Sequence, residues 1–421
     1  MLTAVVGINW GDEGKGRMVD LLSADYDIVC RYQGGNNAGH TVINDHGKIV
    51  LNLLPSGISR EGTVNVMGNG MVIDLENLVH EIQSLREKGI HIGPDNLKIS
   101  DKAVICLPWH KMQDIMEEDR LKDKKFGSTR RGIGPVYADK YMKKAVRMGD
   151  LFAPDKLPEK VADLTEWKNL TVRGYGHEPV KAEDILAWLH EFGDPIKPYI
   201  TDVSDYLYDA AAAGENIMFE AQLGALRDIE FGIYPYTSSS CTLAGYAPIG
   251  AGIPGLKLDK TIGIMKAYSS CVGEGPFTVE MFGDEAEALR RAGGEYGAAT
   301  GRPRRVGAFD VPASRYGVRM HGADCVALTK LDVLSYMEKI PVCVAYDING
   351  EITEKFPVGE RLNAAKPVFE YMDGFGDISG CRKPEDLPKA AMDYIRYLEA
   401  AVGCKIKYVS VGAGRDEYVE L

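Results

Sequence analysis

No stretch of the 421-residue sequence reaches the run of about 18 apolar residues that a membrane-spanning helix needs, and no basic N-terminal region leads into an apolar one. A cytoplasmic protein without membrane contact is therefore expected. Positive charge is not in excess either: 49 Lys and Arg stand against 61 Asp and Glu, a formal net charge of −12. That balance argues against broad, sequence-independent nucleic-acid binding, which needs a basic footprint, but it leaves room for a local cationic pocket. The eight cysteines form no C-x-x-C pair and no metal-ligand spacing. Most sit in apolar runs, where a free thiol behaves as a small buried hydrophobe, and a reducing compartment fits. Repeats, low-complexity tracts and long linkers are missing as well. One continuous domain over residues 1–421 is expected, with a helical excursion at about residues 140–200, where charge and proline concentrate.

What is present alternates. Short apolar, β-branched runs recur with helical patterns between them, which predicts an α/β fold. Its centre would be a mostly parallel sheet flanked by helices, with small helical and loop subdomains. Expected strands are Ala4–Ile8, Ile28–Arg31, Ile49–Leu53, Val64–Met67, Ile217–Glu220, Thr261–Ala267, Cys325–Leu328, Val342–Tyr346 and Ile406–Ser410. Expected helices are Leu75–Lys88, Trp109–Lys122, Ala182–Phe192, Val203–Ala213, Pro312–His321 and Leu387–Val402.

The first loop carries the strongest chemical signal. Gly11-Asp12-Glu13-Gly14-Lys15-Gly16 lies between an apolar run and an amphipathic segment, so strand, glycine turn and helix N-terminus make a ready anion site. Glycines let the backbone approach phosphate oxygens, and Lys15 supplies a mobile positive charge. This is not a Walker A loop: Asn9 holds the first glycine position, and Gly16 stands where a metal-binding Ser/Thr would be. Any metal–nucleotide here needs another protein ligand, and Asp12 is the available carboxylate. The bland reading is a tight turn with a solvated lysine.

Further polar loops follow other strands. Arg31 to Thr41 is a polar, glycine-rich run leaving the second strand, and in open α/β sheets such loops gather at one crevice. His40 is suited to act there as a general acid or to stabilise developing charge. In Thr329-Lys330-Leu331-Asp332 a carboxylate at a strand end can take two parallel hydrogen bonds from guanine, while a lysine stem covers the base. Arg302, Arg304 and Arg305 repel one another, so anionic partners are needed, and a loop closing on an acidic substrate is the functional reading. Phe126 to Pro135 combines small residues, hydroxyls and arginine, which again suits phosphate.

In order along the chain, W-G-D-E-G-K-G (10–16), Q-G-G-N-N-A-G-H-T (33–41), R-G-I-G-P (131–135), M-G-D-L-F (148–152), Y-P-Y (234–236), T-G-R-x-R-R (300–305) and T-K-L-D-V-L (329–334) resemble the adenylosuccinate synthetase family over nearly the whole length. The resemblance implies GTP- and Mg²⁺-dependent joining of aspartate to carbon 6 of IMP in a homodimer. Asp12, His40 and Lys15 would be catalytic, and Asp12 with the Gly39 carbonyl would hold Mg²⁺. GTP would meet Gly11, Glu13, Gly14, Lys15, Gly16, Gly39 and Thr41 at its phosphates, with Arg304 nearby. Lys330, Asp332, Ser410 and Gly412 would surround its guanine. IMP would meet Asn37, Thr129, Gln222, Ser238 and Arg302, with Lys143 reaching in from the neighbouring subunit. Thr300, Arg302 and Arg304 would take the aspartate carboxylates. Departures from the family pattern fall mostly on the IMP side: Leu223, Ser238, Lys143 and Cys271 replace other residues. They leave open a paralogous ligase acting on another purine nucleotide or amino acid. A guanine-nucleotide-binding protein without catalysis is the alternative from another class.

Overall fold

The computed structural model describes the whole chain except Asp45, Ala298, Ala299, Thr300 and Arg302 and the side chain of Asn44. The expected roles of Thr300 and Arg302 thus lie outside the described residues. Among the described residues, ten strands form the central sheet: β1 Leu2–Gly7, β2 Ile28–Arg31, β3 Val64–Met67, β4 Leu97–Ser100, β5 Ile200–Thr201, β6 Ile217–Glu220, β7 Lys260–Lys266, β8 Cys325–Thr329, β9 Ile406–Ser410 and β10 Tyr418–Glu420. Their order across the sheet is β10-β9-β8-β7-β1-β6-β2-β3-β4-β5. Every neighbouring pair runs parallel except β9 with β10. The strands from β1 to β4 are buried almost throughout, which is why they read as continuous apolar runs rather than alternating ones.

Parallel strands point their carboxyl ends to one edge. The loops after β1, β2, β6, β8 and β9 therefore emerge together, and these hold Asp12, His40, Gln222, Asp332 and Gly412. Strand β1 lies between β6 and β7, so the chain winds away in both directions from the first loop.

Two expected strands belong elsewhere. The run expected at Ile49–Leu53 is a strand over Gly47–Leu51 that pairs antiparallel with His40–Asn44, forming a hairpin off the main sheet. Val42 and Ile49 are 1% exposed while Ile43 and Val50 are 42% and 41% exposed, the alternation of a ribbon with one covered face. The run at Val342–Tyr346 extends to Lys339–Ile348 and joins Phe309–Asp310, Glu351–Thr353 and Ala365–Asp373 in a separate sheet.

The six expected helices form within two residues of their expected ends. Asp74 caps Leu75–Glu87, accepting from the Asn77 N–H at 3.3 Å. Pro388 precedes Lys389–Val402, which delays that start by two residues. Helices Ile133–Tyr141 and Gly283–Gly293 were not expected: glycine and proline near their starts masked the pattern, although both residues are tolerated in a first turn. The excursion carries Leu157–Gly174 and Ala182–Gly193, and Val161, Leu164, Ile185 and Leu189 share one apolar core with Leu75, Leu78 and Ile99. Each such side chain contributes about 1.5–3 kcal/mol on burial. No helix among the described residues is long and apolar enough to cross a membrane.

Candidate active site

The first loop is held from inside. Gly11, Asp12 and Gly14 all take left-handed backbone angles (φ 93°, 59° and 92°), and helix α1, Lys15–Leu22, starts directly after them. The Glu13 carboxylate accepts from the Asn9 and Gly11 N–H groups at 3.1 and 2.7 Å and from the Lys15 ammonium at 2.6 Å. Lys15 is only 2% exposed. The expectation of a mobile lysine is thus corrected: an unpaired buried ammonium is costly, and Glu13 neutralises it in place. Glu13, expected at the GTP phosphates, turns its carboxylate inward, where a negative group does not oppose an incoming anion. A Cβ on Gly16 would sit 2.7 Å from the His40 Cβ, so no larger residue fits beside the imidazole.

His40 stands in a buried ionic cluster. Arg31 and Glu220 end adjacent strands β2 and β6 in register. The Glu220 carboxylate lies 2.5 Å from His40 Nδ1 and accepts from the Ser56 N–H and hydroxyl at 2.7 and 2.6 Å. Arg31 reaches His40 Nδ1 at 2.8 Å and the Asn52 carbonyl at 2.7 Å. Nδ1 cannot both donate to Glu220 and accept from Arg31. Burial raises the Glu220 pKa, but Arg31, His40 and Ser56 outweigh it and press the group down to about 2. An ionised carboxylate at the shorter distance assigns the proton to Nδ1 and leaves Nε2 for a ligand. Burial, then the Arg31 charge, lowers the His40 pKa. The imidazole is accordingly neutral until an anion arrives.

The rest of the second loop is clamped by its neighbours. Gln222 is fully buried, and its amide donates to the Gly35 carbonyl at 3.0 Å and accepts from the Gly35 N–H at 3.3 Å. Its amide braces this loop at the place where IMP is expected. Gln33 donates to the Gln222 carbonyl at 2.8 Å and accepts from Ser240 at 2.9 Å, and Ser238 lies 3.4 Å from Ser240. Asn37 accepts from the Gly35 N–H at 3.3 Å. Asn37, Gln222 and Ser238 thus join one network. Gly39 and Thr41 stay exposed at the hairpin. Thr129 and Lys143 are exposed too, and no described hydrogen bond ties them to this network. The loop bearing Thr129 is anchored by Asp114 and Glu118 of helix Pro108–Leu121, which accept from Ser128 at 2.6 Å, from the Gly132 N–H at 2.8 Å and from the Phe126 N–H at 3.1 Å.

A second cluster forms beyond β8 and β9. Thr329 donates to the Glu13 carbonyl at 2.6 Å, tying this region to the first loop. Lys330 is held by the Gly293 carbonyl at 2.6 Å and Glu295 at 2.9 Å, so its ammonium is fixed while the side chain stays partly exposed. No described donor reaches the buried Asp332 Oδ1. Burial raises the pKa of that carboxyl. An unmet buried acceptor is costly, and it is suited to a ligand donor such as guanine N–H. Arg17 binds the Ser410 hydroxyl and the Gly414 and Glu417 carbonyls, the latter two at 2.6 and 3.0 Å. Ser410 donates to the Gly412 carbonyl at 3.0 Å, which places both beside α1.

The arginines prove differently employed. Arg304 spans Asp12 Oδ2 at 3.3 Å and Glu295 Oε2 at 3.1 Å. Arg305 pairs with Glu280 at 2.5 Å and donates to the Gly275 carbonyl at 2.7 Å, so the anionic partner it needs is inside the protein. Sequence reasoning assigned no role to Arg31, Glu220, Arg17 or Glu295. The available signal was a charged residue closing an apolar strand, visible at Arg31 and Glu220.

Fold and site define the class: an α/β enzyme built around the phosphates of a nucleotide. The family model for adenylosuccinate synthetase matches residues 4–419. The chain is 44% identical to the adenylosuccinate synthetase of Caldanaerobacter subterraneus subsp. tengcongensis, covering 100% of this chain and 99% of that relative. The solved structure of fully ligated adenylosuccinate synthetase from Plasmodium falciparum superposes with a TM-score of 0.92 at 35% identity, covering 100% of this chain and 99% of that one. Succinoaminodeoxyadenylate synthetase of cyanophage S-2L, bound to dGMP and dATP, shares the fold with a TM-score of 0.61 at 18% identity, covering 100% of this chain and 95% of that one. This chain belongs to the adenylosuccinate synthetase family of ligases.

Proposed function

We propose that the chain joins L-aspartate to carbon 6 of IMP at the expense of GTP, giving adenylosuccinate, GDP and phosphate for purine biosynthesis. The observation that carries this reading is His40, held by Glu220 and packed on Gly16 at the head of the phosphate loop. An amide-like oxygen leaves poorly until phosphorylated, so the first step moves the γ-phosphoryl group of GTP to oxygen 6. Asp12 takes the proton from purine nitrogen 1. His40 gains a proton as the triphosphate charge raises its basicity and acts as acid toward the transferring group. Amine attack by aspartate then displaces phosphate. Alignment and charge stabilisation supply most of the rate.

Backbone N–H groups of Gly14, Lys15 and Gly16, with Thr41, meet the phosphates, and Lys15 contributes its charge from beneath the loop. Asp332 accepts from the guanine ring, and the Lys330 stem covers it between Ser410 and Gly412. Asn37, Thr129, Gln222 and Ser238 face IMP, and Arg304, beside Asp12, receives an aspartate carboxylate. Thr300 and Arg302 keep the roles the family implies. The Asp12 carboxylate and the exposed Gly39 carbonyl are hard oxygen donors that fit Mg²⁺, an ion that completes its shell with water and phosphate oxygens. When bound, it neutralises phosphate charge. A homodimer with Lys143 reaching the neighbouring site is supported by the flanking Tyr141 and Met142, 73% and 57% exposed. Eight free cysteines support a cytoplasmic location.

The test is incubation with GTP, Mg²⁺, IMP and aspartate, following phosphate release and purine absorbance while each component is withheld in turn. Turnover requiring all of them is expected. Release that ignores IMP, or that needs dGMP in its place, refutes the proposal.

A further inference from the structure

Glu295 follows helix Gly283–Gly293 and is fully buried. Its Oε1 receives the Lys266 ammonium at 2.8 Å, the Lys330 ammonium at 2.9 Å and the Tyr268 hydroxyl. Its Oε2 receives Arg304 at 3.1 Å, and the Arg304 N–H donates to the Glu295 carbonyl at 2.9 Å. Arg304 in turn reaches Asp12 at 3.3 Å. One carboxylate therefore stands between Lys330 at the nucleotide-base end and the Arg304–Asp12 pair at the reacting end. Lys266, Lys330 and Arg304 thus converge on the Glu295 carboxylate, and Arg304 carries the line on to Asp12. Lys266 is buried and donates to Glu295 and Ser270, so it anchors Glu295 from the protein side.

We propose that Glu295 is a positioning residue that couples the two ends, fixing Lys330 with one oxygen and Arg304 with the other. The inference rests on the function proposed above and assigns it a coupling device. A base that seats against Lys330 holds Glu295, and Glu295 holds Arg304 in the direction a substrate carboxylate requires. Coupling of this kind is reciprocal, so aspartate tightens the nucleotide by the same factor.

The experiment is a set of KM values for GTP, aspartate and IMP in the whole enzyme and in Glu295→Gln. The amide keeps the volume and removes the charge that both cations share. KM for GTP and for aspartate should each rise at least about fivefold, the lower bound for a real coupling, with KM for IMP within about twofold. General damage would move all three together, and that result overturns the proposal, as does an unchanged aspartate KM. Lys330→Met decides independently if Glu295→Gln does not fold. It removes a group from the guanine end, yet it should raise the aspartate KM by about fivefold or more, and an unchanged value overturns the coupling. A wild type with no turnover on GTP, IMP and aspartate would sink the functional reading and this inference together. Turnover in the wild type with neither variant effect sinks the inference alone.

Discussion

Replacing Glu220 by Gln tests the core of the site. The side chain is fully buried and contacts His40, Ser56 and Arg31 at once. An ordinary glutamate titrates near 4.5, and the fall to about 2 corresponds to roughly 3 kcal/mol of stability. Breaking a buried ion pair from one side gives a similar figure, about 3–5 kcal/mol, because the buried Arg31 charge loses the carboxylate beside it. Because the folded value is depressed, this stability is complete above pH 4.5 and is lost as pH falls through about 2. The wild type should therefore exceed the variant by about 3 kcal/mol in urea unfolding at pH 7, and the gap should narrow in acid. Catalysis should suffer separately. A glutamine N–H facing Nδ1 turns that nitrogen into an acceptor, moving the proton to Nε2 and reversing the face His40 shows its ligand. Turnover should drop about 10²- to 10⁴-fold at saturating substrate, the range for losing general acid–base help. Near-normal turnover, or a stability gap that does not change with pH, would refute the assignment.

Asp12→Asn keeps the left-handed turn, which asparagine tolerates, but removes the proton acceptor, so turnover should fall by about 10²-fold or more while thermal unfolding stays close to wild type. Asp332→Asn should weaken GTP by roughly 1.5–3 kcal/mol and improve xanthosine triphosphate, whose ring carbonyl suits an amide N–H; competition binding with both nucleotides checks it. Asp310, the cap of helix Val311–His321, is pushed up to about 6 by burial, although Tyr346 donates to it at 2.7 Å and the Ala313 N–H at 3.1 Å. Its folded form holds a proton that the unfolded form releases near 3.8, so the wild type should gain about 2 kcal/mol relative to Asp310→Asn as pH falls from 8 to 4. Urea unfolding of both proteins at those pH values decides, and a difference independent of pH contradicts it.

The fold class, seven of the ten sheet strands and six of the helices were legible because buried parallel strands and amphipathic helices write their periods locally. The glycine loop was legible too, since left-handed turns at Gly11 and Gly14 demand particular residues. What each charged side chain faces was not. Lys15 looked mobile until Glu13 closed on it, and nothing local showed that the Gln222 amide would hold Gly35. Arg305 looked available until Glu280, 25 residues away, paired with it. The run expected at Ile49–Leu53 looked like part of the sheet until its pairing with His40–Asn44 gave Val42 and Ile49 a covered face of their own.

The chain's own order thus determined its family, its layered α/β plan and the stretches that hold its chemistry, because those rest on short-range spacing. Only the tertiary structure decided which ions meet: β2 beside β6 brings Arg31 to Glu220 across 189 positions, and Glu295 finds Lys330 across 35. Such pairings depend on strand order, and strand order is set by how distant segments pack, which no local pattern records.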